Sequence, residues 1–117
     1  MPAARFPHLA QMLGAYFHQD CYADGASDED ILAEFIANKP TGFVAATAEE
    51  IERFLNAHSV GLLAALDAAF APDIIIGESE AEARDWLTAA ARRLMGSLAA
   101  AGFWDGVPPR GRGRASP

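Results

Sequence analysis

Five groups of large apolar residues recur at spacings of three and four along this chain. The first follows Pro7 and contains Leu9, Leu13 and Phe17. Such spacing places apolar side chains on one face of a helix. Alanine fills many of the remaining positions, and it has the highest helix propensity. The β-branched run Ile74–Ile76 has no second run with which to pair, so we interpret it as a buried linker. The pattern predicts an all-α fold, a compact bundle of about five helices.

Residues that begin or end helices divide these groups. We predict helices over about residues 7–19, 28–38, 45–58, 60–70 and 80–101. Ser27, Ser59 and Ser79 stand where N-caps are needed. Thr47 and Glu50 have the spacing of a capping box, which predicts that they cap the third helix together. Acidic residues follow Ser27 and Ser79, as the helix dipole favours.

The length of 117 residues suits one domain, and 51% of the residues are hydrophobic, so a core can form without disulfides. We predict a helical domain over residues 1–104. Residues 105–117 are rich in glycine, proline and arginine, which predicts a disordered C-terminal tail.

Charge is distributed unevenly along the chain. The total is −7, but the tail holds Arg110, Arg112 and Arg114. Residues 1–104 contain 15 acidic and six basic residues, a net charge of −9. Such a surface repels phosphate groups, so we expect no direct binding to nucleic acid or to an anionic membrane. It favours a basic protein partner.

The single cysteine, Cys21, excludes an internal disulfide and fits a reducing compartment. The first residues contain no apolar run typical of a signal peptide, and no segment has the roughly 20 apolar residues that span a bilayer. We therefore expect a cytoplasmic protein.

Histidine, aspartate and cysteine occur together at His18, Asp20 and Cys21. These residue types bind zinc, but nearly consecutive positions point in different directions and no second ligand pair has structural spacing. Asp20 and Asp24 beside Cys21 disfavour the thiolate that a nucleophile requires. We expect no metal, no cofactor and no catalytic activity. A small metal-dependent or cysteine hydrolase centred on these residues remains an alternative.

The run Tyr16-Phe17-His18-Gln19-Asp20, the acidic helix start after Ser27 and the later pair Trp86-Leu87 resemble a family of contact-dependent growth inhibition immunity proteins, the CdiI type. The resemblance implies a small cytosolic protein that binds and neutralises a toxin domain delivered by neighbouring bacteria. Many such toxins are nucleases with basic substrate-binding surfaces.

An acidic immunity protein can cover such a surface by charge complementarity. Candidate toxin-binding residues are the acids predicted to face solvent: Asp24, Asp28, Glu29, Asp30, Glu34, Glu49, Glu50 and Glu52. The five-residue run at 16–20 is either structural or part of the contact, and Tyr16 and Phe17 have the spacing of core residues. A general helical adaptor that uses its arginine tail is the remaining alternative.

Overall fold

The computed structural model describes residues 5–17, 22, 25–72 and 76–102, and these residues form five α-helices without a strand among them. The predicted all-α fold is thus confirmed. The helices are α1 (Pro7–Gln11), which continues as one π-helical segment (Met12–Tyr16), α2 (Asp28–Asn38), α3 (Thr41–Ala57), α4 (Leu62–Phe70) and α5 (Glu80–Ala100).

Two helix starts follow the predicted capping chemistry. The Ser27 hydroxyl accepts a hydrogen bond from the backbone N–H of Asp30 at 3.1 Å, and the Asp30 carboxylate accepts one from Ser27 N–H at 3.0 Å. This reciprocal pair begins α2. Ser79 begins α5 in a similar way, because its hydroxyl accepts from Glu82 N–H at 3.1 Å.

Two predicted helix starts are wrong. α3 begins at Thr41, one residue after Pro40, which holds the extended conformation that an N-cap requires. Thr47 is therefore inside the helix, where its hydroxyl donates to the Phe43 carbonyl at 2.8 Å. α4 begins at Leu62, because Gly61 before it adopts a left-handed conformation with a φ of 71°.

The first helix also differs from the prediction of a regular helix to about residue 19. After Gln11 the hydrogen bonding widens to the π-helical pattern, and helical structure ends at Tyr16. A π-helical turn changes the direction in which later side chains point. Phe17, just beyond it, is fully buried.

The core lies between α3 and α5, which share the largest interface between helices; α1 packs on α3, whereas α2 and α4 pack on α5. Large side chains from all five helices and from the residues beside α1 are fully buried. They include Leu9, Met12, Leu13, Phe17, Phe35, Val44, Ile51, Phe54, Leu62, Leu87, Leu94 and Leu98. Ile76, the last residue of the predicted linker, is also buried.

Several predictions concern residues outside the described ranges. These are His18, Gln19, Asp20, Cys21, Asp24, the first two residues of the isoleucine run, and residues 103–117. The division into a domain over 1–104 and a tail over 105–117 therefore stays a prediction. Among the described residues, no helix has the length and apolar character needed to cross a membrane.

We expect Gly77→Ala to lower the free energy of unfolding by about 2 kcal/mol, because it overpacks a closed contact. A Cβ at Gly77 would lie 2.4 Å from the backbone nitrogen of Ala83 in α5. Gly96→Ala is the matched control, since its added methyl group meets open space within a helix. That change should raise stability by about 0.5 to 1 kcal/mol. Urea unfolding followed by circular dichroism measures both; equal effects would contradict the close packing at Gly77.

Candidate functional site

The acidic residues of the described chain separate into those that bind other parts of the protein and those that do not. Glu50 belongs to the first group. It is only 4% exposed, and its carboxylate accepts hydrogen bonds from the backbone N–H groups of His8 at 2.8 Å and Leu9 at 2.9 Å. The Nδ1 atom of His8 lies 2.5 Å from the other carboxylate oxygen.

These contacts correct the prediction that Glu50 faces solvent and shares a capping box with Thr47. α1 begins at Pro7 and has no side-chain cap of its own, so its first N–H groups need an acceptor from elsewhere. Glu50 of α3 supplies that acceptor. A partner protein cannot reach this carboxylate in the folded chain.

Asp28 forms a small polar junction between α2 and α5. Its carboxylate accepts hydrogen bonds from Trp86 Nε1 at 2.9 Å and from the Tyr22 hydroxyl at 2.5 Å. Trp86, predicted as a core residue, is only partly buried and packs edge-on against Phe17, with ring centroids 5.1 Å apart. Asp28 therefore fixes the position of the indole ring.

The next two candidates are partly engaged within the protein. Glu29 pairs with Arg93 of α5, although 61% of the Glu29 side chain remains exposed. Asp30 uses one carboxylate oxygen in the capping box with Ser27. Both residues still face solvent, so part of each carboxylate stays accessible.

Glu34, Glu49 and Glu52 are exposed, and their side chains contact no partner group among the described residues. Glu49 and Glu52 are three residues apart on α3, so they lie on the same side of the helix. The buried residues of α3, among them Val44 and Ile51, do not include either acid. Glu49 and Glu52 match the solvent-facing positions predicted from helical spacing.

The basic side chains are largely engaged in contacts that do not neutralise these acids. Arg84 donates to backbone carbonyls at the end of α3, including that of His58 at 2.9 Å. Arg53 lies 5.2 Å from the ring centroid of Phe6, and Lys39 lies 4.7 Å from that of Phe43. Within the described ranges, Arg93 alone among the lysines and arginines forms an ion pair with a carboxylate.

The first two residues of the Tyr-Phe-His-Gln-Asp run are packed against the core. Phe17 is fully buried, and Tyr16 meets Phe35 edge-on with centroids 5.1 Å apart. Among the described residues, no group of three histidine, cysteine or acidic side chains could hold a metal ion. The alternative site at His18, Asp20 and Cys21 lies outside these residues.

An open groove of about 240 Å³ lies beside the Asp28–Trp86 pair, between α2 and α5. Its lining combines small apolar residues with one indole and three charged groups: Asp28, Glu29, Leu32, Trp86, Ala89, Ala90 and Arg93. Sequence reasoning missed this groove. Asp28 and Trp86 are 58 residues apart, and their separate patterns give only a helix start and an apolar stripe.

Comparison with protein families agrees with the resemblance seen in the sequence. A family model described as CdiI immunity protein matches residues 5–94, a range that includes the first four helices and most of α5. The chain belongs to this family. As a CdiI immunity protein, it carries the buried Glu50, the Asp28–Trp86 pair and the exposed acids of α2 and α3 within the matched range. Searches of curated proteins and of solved structures gave no match.

We expect Glu50→Ala to lower the free energy of unfolding by about 3 kcal/mol, because two backbone N–H groups of α1 lose their acceptor. Glu50→Gln should cost less, since its amide oxygen can still accept one of these bonds. The neighbouring Glu49→Ala is the control, and should change stability by less than about 0.5 kcal/mol. Urea unfolding measures all three. A similar loss for Glu49→Ala and Glu50→Ala would contradict the capping role.

Proposed function

We propose that this CdiI immunity protein binds the toxic domain of a contact-dependent growth inhibition protein in the cytoplasm and neutralises it by occupying a basic surface. The family match over residues 5–94 carries the proposal. The protein acts by stoichiometric binding, with no catalysis, metal or cofactor of its own. In this proposal the target is a nuclease-type domain, because the basic surface that binds nucleic acid in such a domain would complement the exposed acids of this chain.

The charge pattern supports a basic partner. Among the described residues, Glu34, Glu49 and Glu52 of α2 and α3 are exposed and form no ion pair with a lysine or arginine. Their charge therefore acts outward, and outward fields of this kind accelerate the encounter with an oppositely charged protein. These three residues form the main contact set that we propose.

The other candidate acids differ in how accessible their carboxylates are to a partner. Asp28, Glu29 and Asp30 are secondary contacts, since each already has a bond within the protein. Asp24 remains a candidate outside the described residues. Glu50 is removed from the set, because its carboxylate is buried and used by α1.

Co-expression with the toxic domain encoded beside this gene tests the proposal. Growth should be restored, and the two proteins should purify together at equal stoichiometry. The full chain should also block the toxin's activity in a purified assay. Absence of both binding and protection would refute the immunity function. Turnover of the toxin or of another substrate by the chain alone would favour an enzyme instead.

The contact set is tested by reversing two charges. We expect the double variant Glu49→Lys and Glu52→Lys to lower the rate constant for association with the toxin about tenfold at low salt. The difference should shrink in molar salt, where the Debye length falls to about 3 Å. Stopped-flow mixing at several ionic strengths measures both effects.

Asp67→Lys with Asp85→Lys is the matched control, because it makes the same change in net charge at exposed positions on α4 and α5. These two acids likewise contact no partner side chain among the described residues. If both double variants slow association equally, total charge steers the encounter and the α3 face has no special role.

A further inference from the structure

The groove between α2 and α5 combines an apolar floor with a fixed negative group. Leu32, Ala89 and Ala90 provide aliphatic surface, and the partly buried Trp86 also lines the groove. Pockets that hold small molecules usually measure about 300–1,000 Å³. At about 240 Å³ and open to solvent, this groove suits one long side chain of another molecule.

The Asp28 carboxylate gives the groove its polar specificity. It accepts bonds from Trp86 Nε1 and from the Tyr22 hydroxyl, and both hold it in one orientation. An ionised carboxylate offers about four acceptor positions, so further donors can still bind. Among the described residues, no lysine or arginine pairs with Asp28. Its negative charge is therefore positioned but not neutralised.

The remaining charges of the groove cancel each other. Glu29 and Arg93 both line it and form an ion pair across α2 and α5. With Asp28 added, the lining holds one more negative than positive group. An incoming cation therefore gains an attraction to Asp28, while the positive charge of Arg93 is already compensated.

We infer that the groove between α2 and α5 binds an arginine side chain of the basic protein partner. The aliphatic stem of arginine lies on Leu32, Ala89 and Ala90, as long charged side chains do on apolar surfaces. The guanidinium donates hydrogen bonds to Asp28 and stacks against Trp86, since planar guanidinium groups pair with carboxylates and stack on aromatic rings. The identity of the partner rests on the proposed function, but the chemistry of the groove does not.

A direct test uses N-acetyl-arginine amide as a probe and the full-length protein as the receptor. The indole N–H signal of Trp86 in a nitrogen-15 NMR spectrum reports the groove, and the Trp104→Phe variant identifies which of the two tryptophan signals it is. The arginine probe should shift this signal in a saturable way, in the millimolar range. N-acetyl-norleucine amide has a similar stem without charge and should leave it unchanged. Equal shifts with both probes would overturn the inference.

Two variants test the groove, one by removing its charge and the other by blocking its surface. Asp28→Asn removes the charge and should lower the affinity for the arginine probe at least about tenfold, which corresponds to about 1.4 kcal/mol of binding free energy. Ala89→Phe adds a ring at an exposed position of the lining and should block the probe while Asp28 stays in place. Asp67→Asn is the charge-matched control and should bind as the unmodified chain does. Circular dichroism confirms that each variant is folded.

The same variants, measured with the toxin, connect the groove to immunity. Asp28→Asn and Ala89→Phe should each raise the dissociation rate about tenfold, with less salt dependence than the α3 variants show. If dissociation is unchanged while the chain still protects cells, the groove inference fails and the proposed function stands. If the chain does not bind the toxin, the proposed function fails, and the arginine probe still decides the chemistry of the groove.

Two other occupants of the groove are possible outcomes of the test, and either would contradict the inference that a separate protein partner binds there. If deletion of residues 105–117 moves the Trp86 signal and strengthens probe binding, the occupant is the chain's own arginine-containing C-terminal segment. If the Trp86 signal shifts with protein concentration and the shift disappears in Ala89→Phe, the occupant is a second copy of the chain.

Discussion

The bundle depends on charged side chains that complete the ends of other helices. α1 and α4 have no side-chain caps of their own. Glu50 of α3 accepts the first N–H groups of α1, and Glu80 of α5 accepts those of Leu62 and Leu63 at 2.7 and 3.1 Å. Arg84 of α5 acts at the other type of helix end, because it donates hydrogen bonds to backbone carbonyls where α3 ends. Each backbone group left without a partner in a buried site costs about 1–3 kcal/mol, so these contacts fix where short helices sit.

The same contacts explain how an acidic protein can be compact and still present negative charge. Glu50 and Glu80 face the positive ends of helices, where N–H groups compensate a carboxylate. The positive side chains Arg53 and Lys39 lie over aromatic rings, and Arg84 lies at backbone carbonyls. The exposed acids of α3 thus form no ion pair with a described lysine or arginine. Folding uses one set of carboxylates at helix ends and leaves the other available to a partner.

Sequence reasoning succeeded where the interaction is local. Ser27 and Ser79 were predictable as caps, because the cap and the N–H that it accepts are three residues apart. Helical spacing likewise predicted that Glu49 and Glu52 face solvent. The same spacing could not reveal the role of Glu50, whose donors are 41 and 42 residues away. The groove beside Trp86 forms only where α2 packs against α5, and the sequence pattern of each helix does not specify that packing.

The two surfaces proposed for the partner contribute to different steps of binding. Exposed carboxylates on α3 act at a distance, and they attract any basic protein, so they cannot by themselves select one toxin. A groove that holds one side chain acts only after contact, because stem, guanidinium and carboxylate must align together. If both proposals hold, discrimination between toxins depends more on the residues that meet the α2–α5 groove than on total charge. An immunity protein needs both properties, since a toxin must be captured before it acts and retained afterwards.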